Sequence, residues 1–177
     1  RSVYKLQEIN ERDRLLKPGQ TVVDLGAAPG SWCEYAIAQL GKRGSLIALD
    51  LLAMKPIDGV DIIQADFSEQ EGLDRLLAVL SGHQVDLVMS DMAPNISGIS
   101  SADQARSIHL LELALDFCEQ VLRPGGTLLA KAFQGVGYPE YQKALKQRFQ
   151  TVKSRKPKAS RAKSREIYLL AQGFRGN

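Results

Sequence analysis

The chain has 177 residues, 44% of them hydrophobic and 24% charged, which suits one globular domain with a real core and leaves no room for two comfortable ones. No apolar run approaches the roughly 18 residues that a membrane-spanning helix needs, and the opening RSVYKLQEINERD lacks the apolar stretch of a secretory signal. The net charge of +3 conceals an asymmetry: ten Lys/Arg and no acid lie between Lys143 and Arg165, leaving 13 basic against 20 acidic residues elsewhere.

An acidic body with a basic strip over residues 143–165 points to a polyanion, nucleic acid above all, docking on one side. Solvated charge runs usually mix signs, and this one does not. The chain does not begin with Met, so the natural protein is expected to carry a further N-terminal tail. Cys33 and Cys118 fall in helical apolar patterns and read as small core residues of a reducing cytoplasm. Neither they nor His83 and His109 have metal-ligand spacing, and no metal is expected.

A polar helix carrying Lys5 opens the chain. Strands are predicted over 21–25 and 45–50, separated by a helix over 31–40 with Trp32, Ala36, Ile37 and Leu40 on its apolar side. Next come a strand over 60–65, a helix over 71–80 and a strand over 85–90. Ile108, Leu111, Leu115, Cys118 and Leu122 recur at helical spacing and predict a long helix over 103–122. The turn RPGG then leads into a fifth strand over 127–133, followed by a helix over 139–148 and strands over 149–155 and 166–171. This alternation predicts one α/β domain over residues 1–177, a Rossmann-like, mostly parallel sheet with helices on both faces.

Ligands of such sheets sit just beyond the carboxyl ends of the strands, at the topological switch point. After the first strand comes DLGAAPGSW, a turn in which glycine admits close approach of a ligand. Its G-x-x-x-G spacing departs from the dinucleotide pattern G-x-G-x-x-G, which disfavours a nicotinamide cofactor. Asp50, Asp66 and Asp91 end or follow the next strands at one structural level. Asp50 suits a ribose diol and Asp66 an adenine amine, although each alone is more readily explained as a strand-end turn residue. Together with the glycine turn they describe an adenosine-bearing ligand without a phosphate cradle, as in S-adenosylmethionine. In GTLLAKAFQG, Lys131 interrupts an apolar strand where an unpaired ammonium would be costly to bury. A lysine snorkelling to solvent is the ordinary explanation, but this strand end faces the same cleft as Asp91.

The blocks VVDLGAAPGSW, DLL, ADF, SDMAPN, LLAKAFQG and KSREIYLLA, in this order and spacing, resemble the FtsJ/RrmJ family across nearly the whole chain. These are bacterial ribosomal RNA large-subunit methyltransferases acting on a uridine 2′-hydroxyl of 23S rRNA. The resemblance implies the class I S-adenosylmethionine-dependent methyltransferase fold, with seven strands and the last one antiparallel. By position it implies cofactor contacts at Gly30, Trp32, Asp50, Asp66 and Asp91, and a K-D-K-E tetrad at Lys5, Asp91, Lys131 and Glu166. Ser31 stands where many members carry another glycine, a mild departure that bears on how closely the loop sits. A monomer acting on rRNA within the large subunit is implied. Related enzymes acting on tRNA or other RNA share the tetrad, and a small-molecule O-methyltransferase or a non-catalytic RNA-binding module on the same fold stand as alternatives.

Methyl transfer to a hydroxyl requires in-line positioning and removal of one proton. Lys131 is the expected base, with Asp91 orienting it and Lys5 and Glu166 placing the hydroxyl and the lysine. An unperturbed lysine, with a pKa near 10.4, is neutral only about once in a thousand at pH 7.4. Desolvation and the like charge of Lys5 are the expected means of lowering that barrier. Alternatively, Lys131 stays charged and stabilises the developing alkoxide.

Overall fold

The computed structural model describes residues 2–92 and 100–176. In chain order these form α1 (Ser2–Asp13), β1 (Thr21–Leu25), α2 (Ser31–Leu40), β2 (Ser45–Asp50), β3 (Val60–Gln64), α3 (Gln70–Leu80), β4 (Val85–Ser90), α4 (Ser101–Val121), β5 (Leu122–Phe133), α5 (Tyr138–Arg148), β6 (Phe149–Arg155) and β7 (Glu166–Phe174). The strands make one sheet in the order β3-β2-β1-β4-β5-β7-β6. β1 pairs in parallel with both β2 and β4, so the topological switch point lies between β1 and β4. β7 is inserted antiparallel between β5 and β6, as expected for the last strand.

The central strands are buried on both faces, which is why LIAL and LLA read as unbroken apolar runs and VVDL is broken only by Asp24. One face is packed by α3, α4 and α5 through Leu76, Leu115, Phe117 and Leu145, meeting Val23, Val88 and Ala130 of the sheet. The other face is packed by α1 and α2 through Leu6, Ile9, Ala36 and Leu40, meeting Val22, Leu87, Met89 and Leu129.

Element boundaries differ from the sequence expectations in ways with local causes. α4 begins at Ser101 rather than two residues later, because the Ser100 hydroxyl accepts the Asp103 N–H and caps the helix. β5 begins at Leu122 rather than beyond RPGG. Val85 pairs with Leu122 and Leu87 with Thr127, so Arg123–Gly126 bulge out of a ladder that continues on both sides. Arg123 stays anchored there, its Nε–H donating to Asp86 at 2.5 Å. β7 runs on to Phe174, which pairs with Phe149 in the ladder and meets its ring at 5.4 Å.

Candidate active site

Side chains alternate along a strand, so strand parity decides which residues share a face. Leu87 and Met89 lie on the α1/α2 face, which puts Asp91, just past β4, on that side. Leu129 does the same for Lys131 on β5, Leu46 and Ala48 for Asp50 on β2, and Tyr168 and Leu170 for Glu166 on β7. β7 runs antiparallel, so its first residue, Glu166, pairs with Phe133 at the carboxyl end of β5. A lysine near the end of one strand and a glutamate at the start of another are thereby delivered to the same edge.

The tetrad closes as two ion pairs. Lys131 Nζ lies 3.1 Å from Asp91 Oδ1, with side chains 14% and 19% exposed. Lys5, on the second turn of α1, donates to Glu166 Oε1 at 2.8 Å. Burial pushes the Glu166 carboxyl up, but the Lys5 hydrogen bond and charge, the Lys131 charge and the Ser160 hydroxyl together hold it below its ordinary value. The charge of Lys5 is therefore matched by Glu166 rather than directed solely against Lys131. Four residues that lie far apart in sequence form one compact, half-buried charge cluster.

Tyr168 belongs to the same cluster and was missed by sequence reasoning. It pairs with Lys131 across β5 and β7, and its hydroxyl donates to Asp91 Oδ1 at 3.2 Å. Asp91 thus receives Lys131 and Tyr168 on a single oxygen. The available signal was parity, since Tyr168 stands two residues after Glu166 in KSREIYLLA.

The glycine turn and the acids form the neighbouring half of the cleft. Gly26 has φ +74°, and a Cβ there would come within 2.8 Å of Met92 Cγ. Gly30 has φ +126°, and a Cβ would lie 3.0 Å from Ile57 Cδ1. At Gly26 the Met92 backbone leaves no room for a side chain, and at Gly30 the positive φ itself disfavours one. Asp50 accepts the Ala28 N–H at 2.9 Å on one oxygen and the Leu52 N–H at 2.8 Å on the other, tying the turn to the end of β2. Each oxygen keeps a second lone pair, so the carboxylate can still receive a ligand diol. Asp66 uses Oδ1 for the N–H and hydroxyl of Ser68, at 2.9 and 2.6 Å, leaving Oδ2 for a ligand amine. Below them Asp24 is fully buried, and its Oδ1 has no hydrogen-bond partner among the described residues. Burial above all, with the charges of Asp91 and Asp50, pushes its carboxyl up to about 7, against a hydrogen bond from the Cys33 thiol at 3.1 Å. These acceptors fit an adenosine-bearing, positively charged ligand and not a pyrophosphate.

The Trp32 side chain is packed against Tyr168 and the start of α1. Its ring is 3% exposed, lies 5.9 Å from that of Tyr168, and its indole N–H donates to the Ser2 carbonyl at 3.0 Å. The side chain fastens the first turn of α1 over the sheet. Of SDMAPN, the residues Ala93, Pro94 and Asn95 lie outside the described residues.

Residues 1–174 of the chain match the model of the family described as FtsJ-like methyltransferase. The chain belongs to that family. It is 56% identical to the Ribosomal RNA large subunit methyltransferase E of Alkalilimnicola ehrlichii over 98% of this chain and 83% of that protein. Against the protein of the same name from Marinobacter nauticus the identity is 55%, over 99% of this chain and 84% of the relative. A crystal structure of a Plasmodium falciparum protein described as a ribosomal RNA methyltransferase superposes with TM-score 0.88 at 30% identity, covering 100% and 98% of the two chains. The seven-stranded sheet and the two-sided helix cover are thus those of a methyltransferase of the FtsJ-like family.

Within this FtsJ-like methyltransferase the basic segment is only partly free. Arg155 is 11% exposed and grips Asp13 with two N–H groups, at 2.8 and 2.9 Å. Lys156 donates to the carbonyls of Ser164, at 3.0 Å, and Glu166. Arg148 is engaged with Glu119 at 2.6 Å. Lys143, Lys146, Lys153, Lys158, Arg161 and Lys163 are exposed. Cys33 and Cys118 are buried and unbridged, and burial pushes both thiols up, away from reactivity. Among the described residues no helix is long and apolar enough to cross a membrane.

Proposed function

We propose that this chain transfers a methyl group from S-adenosylmethionine to the ribose 2′-hydroxyl of a uridine in 23S rRNA of the large ribosomal subunit. The carrying observation is the Lys131–Asp91 pair, meeting Lys5–Glu166 at the carboxyl end of β5 beside the acid-lined glycine turn. The relatives' name, large-subunit rRNA methyltransferase, supports the substrate. The reading takes residues 1–177 as one methyltransferase domain, monomeric and cytoplasmic, approached by rRNA along the basic segment 143–165.

When bound, the cofactor supplies a methyl group on a positively charged sulfur and thus its own leaving group. Asp50 and Asp66 suit its ribose and adenine amine, the Gly30 turn suits a close backbone approach, and Asp91 borders both halves of the cleft. Lys131 takes the proton of the 2′-hydroxyl as the oxygen attacks. In the resting site Asp91 holds Lys131 as an ion pair, so the amine first gives up its ammonium proton. That proton leaves to solvent, and Asp91 Oδ1, 3.1 Å away, orients the amine. Tyr168 keeps that oxygen in place, and the Lys5–Glu166 pair fixes the opposite side of the hydroxyl's position.

Incubating the protein with tritium-labelled cofactor and unmodified large-subunit RNA or a panel of small alcohols tests this reading. Label on RNA alone is expected; label on small alcohols and none on RNA would overturn it.

A further inference from the structure

Tyr4 is 62% exposed, an unusual position for a large aromatic ring. It directly precedes Lys5, whose amine sits 2.8 Å from Glu166 in the reaction centre. The helix that carries it is fastened on every side. Its first turn is held by the Trp32 indole on the Ser2 carbonyl, and Leu6 and Ile9 are buried against the sheet. One turn beyond Tyr4, on the same helix face, Glu8 accepts the Lys158 N–H at 2.9 and 3.2 Å. Tyr4 therefore lies on the face that meets the basic segment, while Lys5 turns toward the tetrad. On α1 the exposed ring thus lies next in sequence to Lys5 of the tetrad and one turn from Glu8, which holds the basic segment.

We infer that Tyr4 is a stacking platform for the base of a nucleotide adjoining the methylated one. The inference rests on the reading that RNA is the substrate. A ribose held at Lys131 and Lys5 brings its chain neighbours over whatever flanks Lys5, and a rigidly mounted, solvent-facing tyrosine is what flanks it. Single-stranded RNA is commonly held by stacking unpaired bases on exposed aromatic rings. Such stacking tolerates any base, since every base has a π-face. A ring carried on an anchored helix has its backbone already ordered, so binding has only the side chain left to fix.

The test is a cycle of two changes read by RNA affinity and by single-turnover methylation. Tyr4→Ala is expected to weaken RNA binding roughly ten- to hundredfold, with the rate at saturating RNA within about twofold of wild type. Tyr4→Phe and Tyr4→Trp should bind as wild type does. An abasic site placed next to the methylated nucleotide should weaken binding to wild type but add nothing further to Tyr4→Ala. Unchanged affinity in Tyr4→Ala, or full additivity of its loss with that of abasic sites on either side, overturns the platform. If wild type neither binds nor methylates the RNA, the underlying substrate reading falls, and the platform with it. A thermal melt of Tyr4→Ala matching wild type is expected for so exposed a residue; a large drop would assign the ring a packing role instead.

Discussion

At the scale of single residues, the site depends on groups whose charge state is set by their neighbours. Asp91 Oδ1 takes both Lys131 and Tyr168, so Tyr168→Phe removes one of the two groups that hold it. The expected outcome is a fall in single-turnover rate of about tenfold, with cofactor affinity little changed and no large loss of stability; an unchanged rate would mean that Lys131 alone positions Asp91. Asp24 gives the fold a pH dependence of its own. Its carboxyl keeps its proton up to about 7 in the folded chain, whereas an unfolded aspartate loses it near 3.9. Between those values the folded state holds the extra proton, so stability falls with rising pH, by about 1.4 kcal/mol per unit for this group, and levels off above the folded value. Melting curves of wild type and Asp24→Asn from pH 5 to 8 check this. The wild-type stability should decline more steeply up to pH 7, and parallel curves would contradict the buried proton. Lys131 was legible in the sequence because an amine in an apolar strand demands a reason. Tyr168 was not, because an aromatic in a strand reads as core and its partner lies 77 positions away.

Among the elements, α1 matters most, since it carries Lys5 and covers the site's face of the sheet. Besides its buried Leu6 and Ile9, it is secured by Asp13, whose bond to Arg155, opposed in part by burial, holds the carboxyl below its ordinary value. Arg155 lies within the basic strip, yet its guanidinium is bound to Asp13, 142 positions earlier in the chain. No local pattern encodes a pairing at that separation. Arg155→Ala is therefore expected to cost about 1–3 kcal/mol in urea unfolding and to slow methylation by letting Lys5 drift. Stability equal to wild type would contradict the clamp. The strands and helices themselves were readable from apolar runs and helical spacing. The exceptions were the bulge at Arg123–Gly126, where ladder hydrogen bonds override a turn-like sequence, and the extension of β7 to Phe174, which follows from pairing with β6.

Across the whole molecule, an acidic body carries a basic strip that is only partly free of internal partners. Lys153, Lys158, Arg161 and Lys163 are exposed and are the residues to neutralise together. Replacing them with Gln should leave stability unchanged, weaken RNA binding, and flatten its salt dependence by about 0.7–0.9 for each phosphate no longer neutralised. An unchanged salt slope would place the RNA elsewhere. The fold was legible because alternation of strand and helix admits few topologies. The site was legible in outline because its residues end strands, and only the sheet order and parity show which of them meet. The most direct measurement concerns where the methyl group goes. Large-subunit RNA labelled by wild type and by Lys131→Ala is hydrolysed in alkali, which cleaves beside every free 2′-hydroxyl and spares a 2′-O-methylated ribose. The expected result is label in one alkali-stable dinucleotide with wild type and no transfer with Lys131→Ala, whose cofactor affinity falls little. Label released in mononucleotides, or transfer by Lys131→Ala near the wild-type rate, would contradict the central role of Lys131 at a ribose hydroxyl.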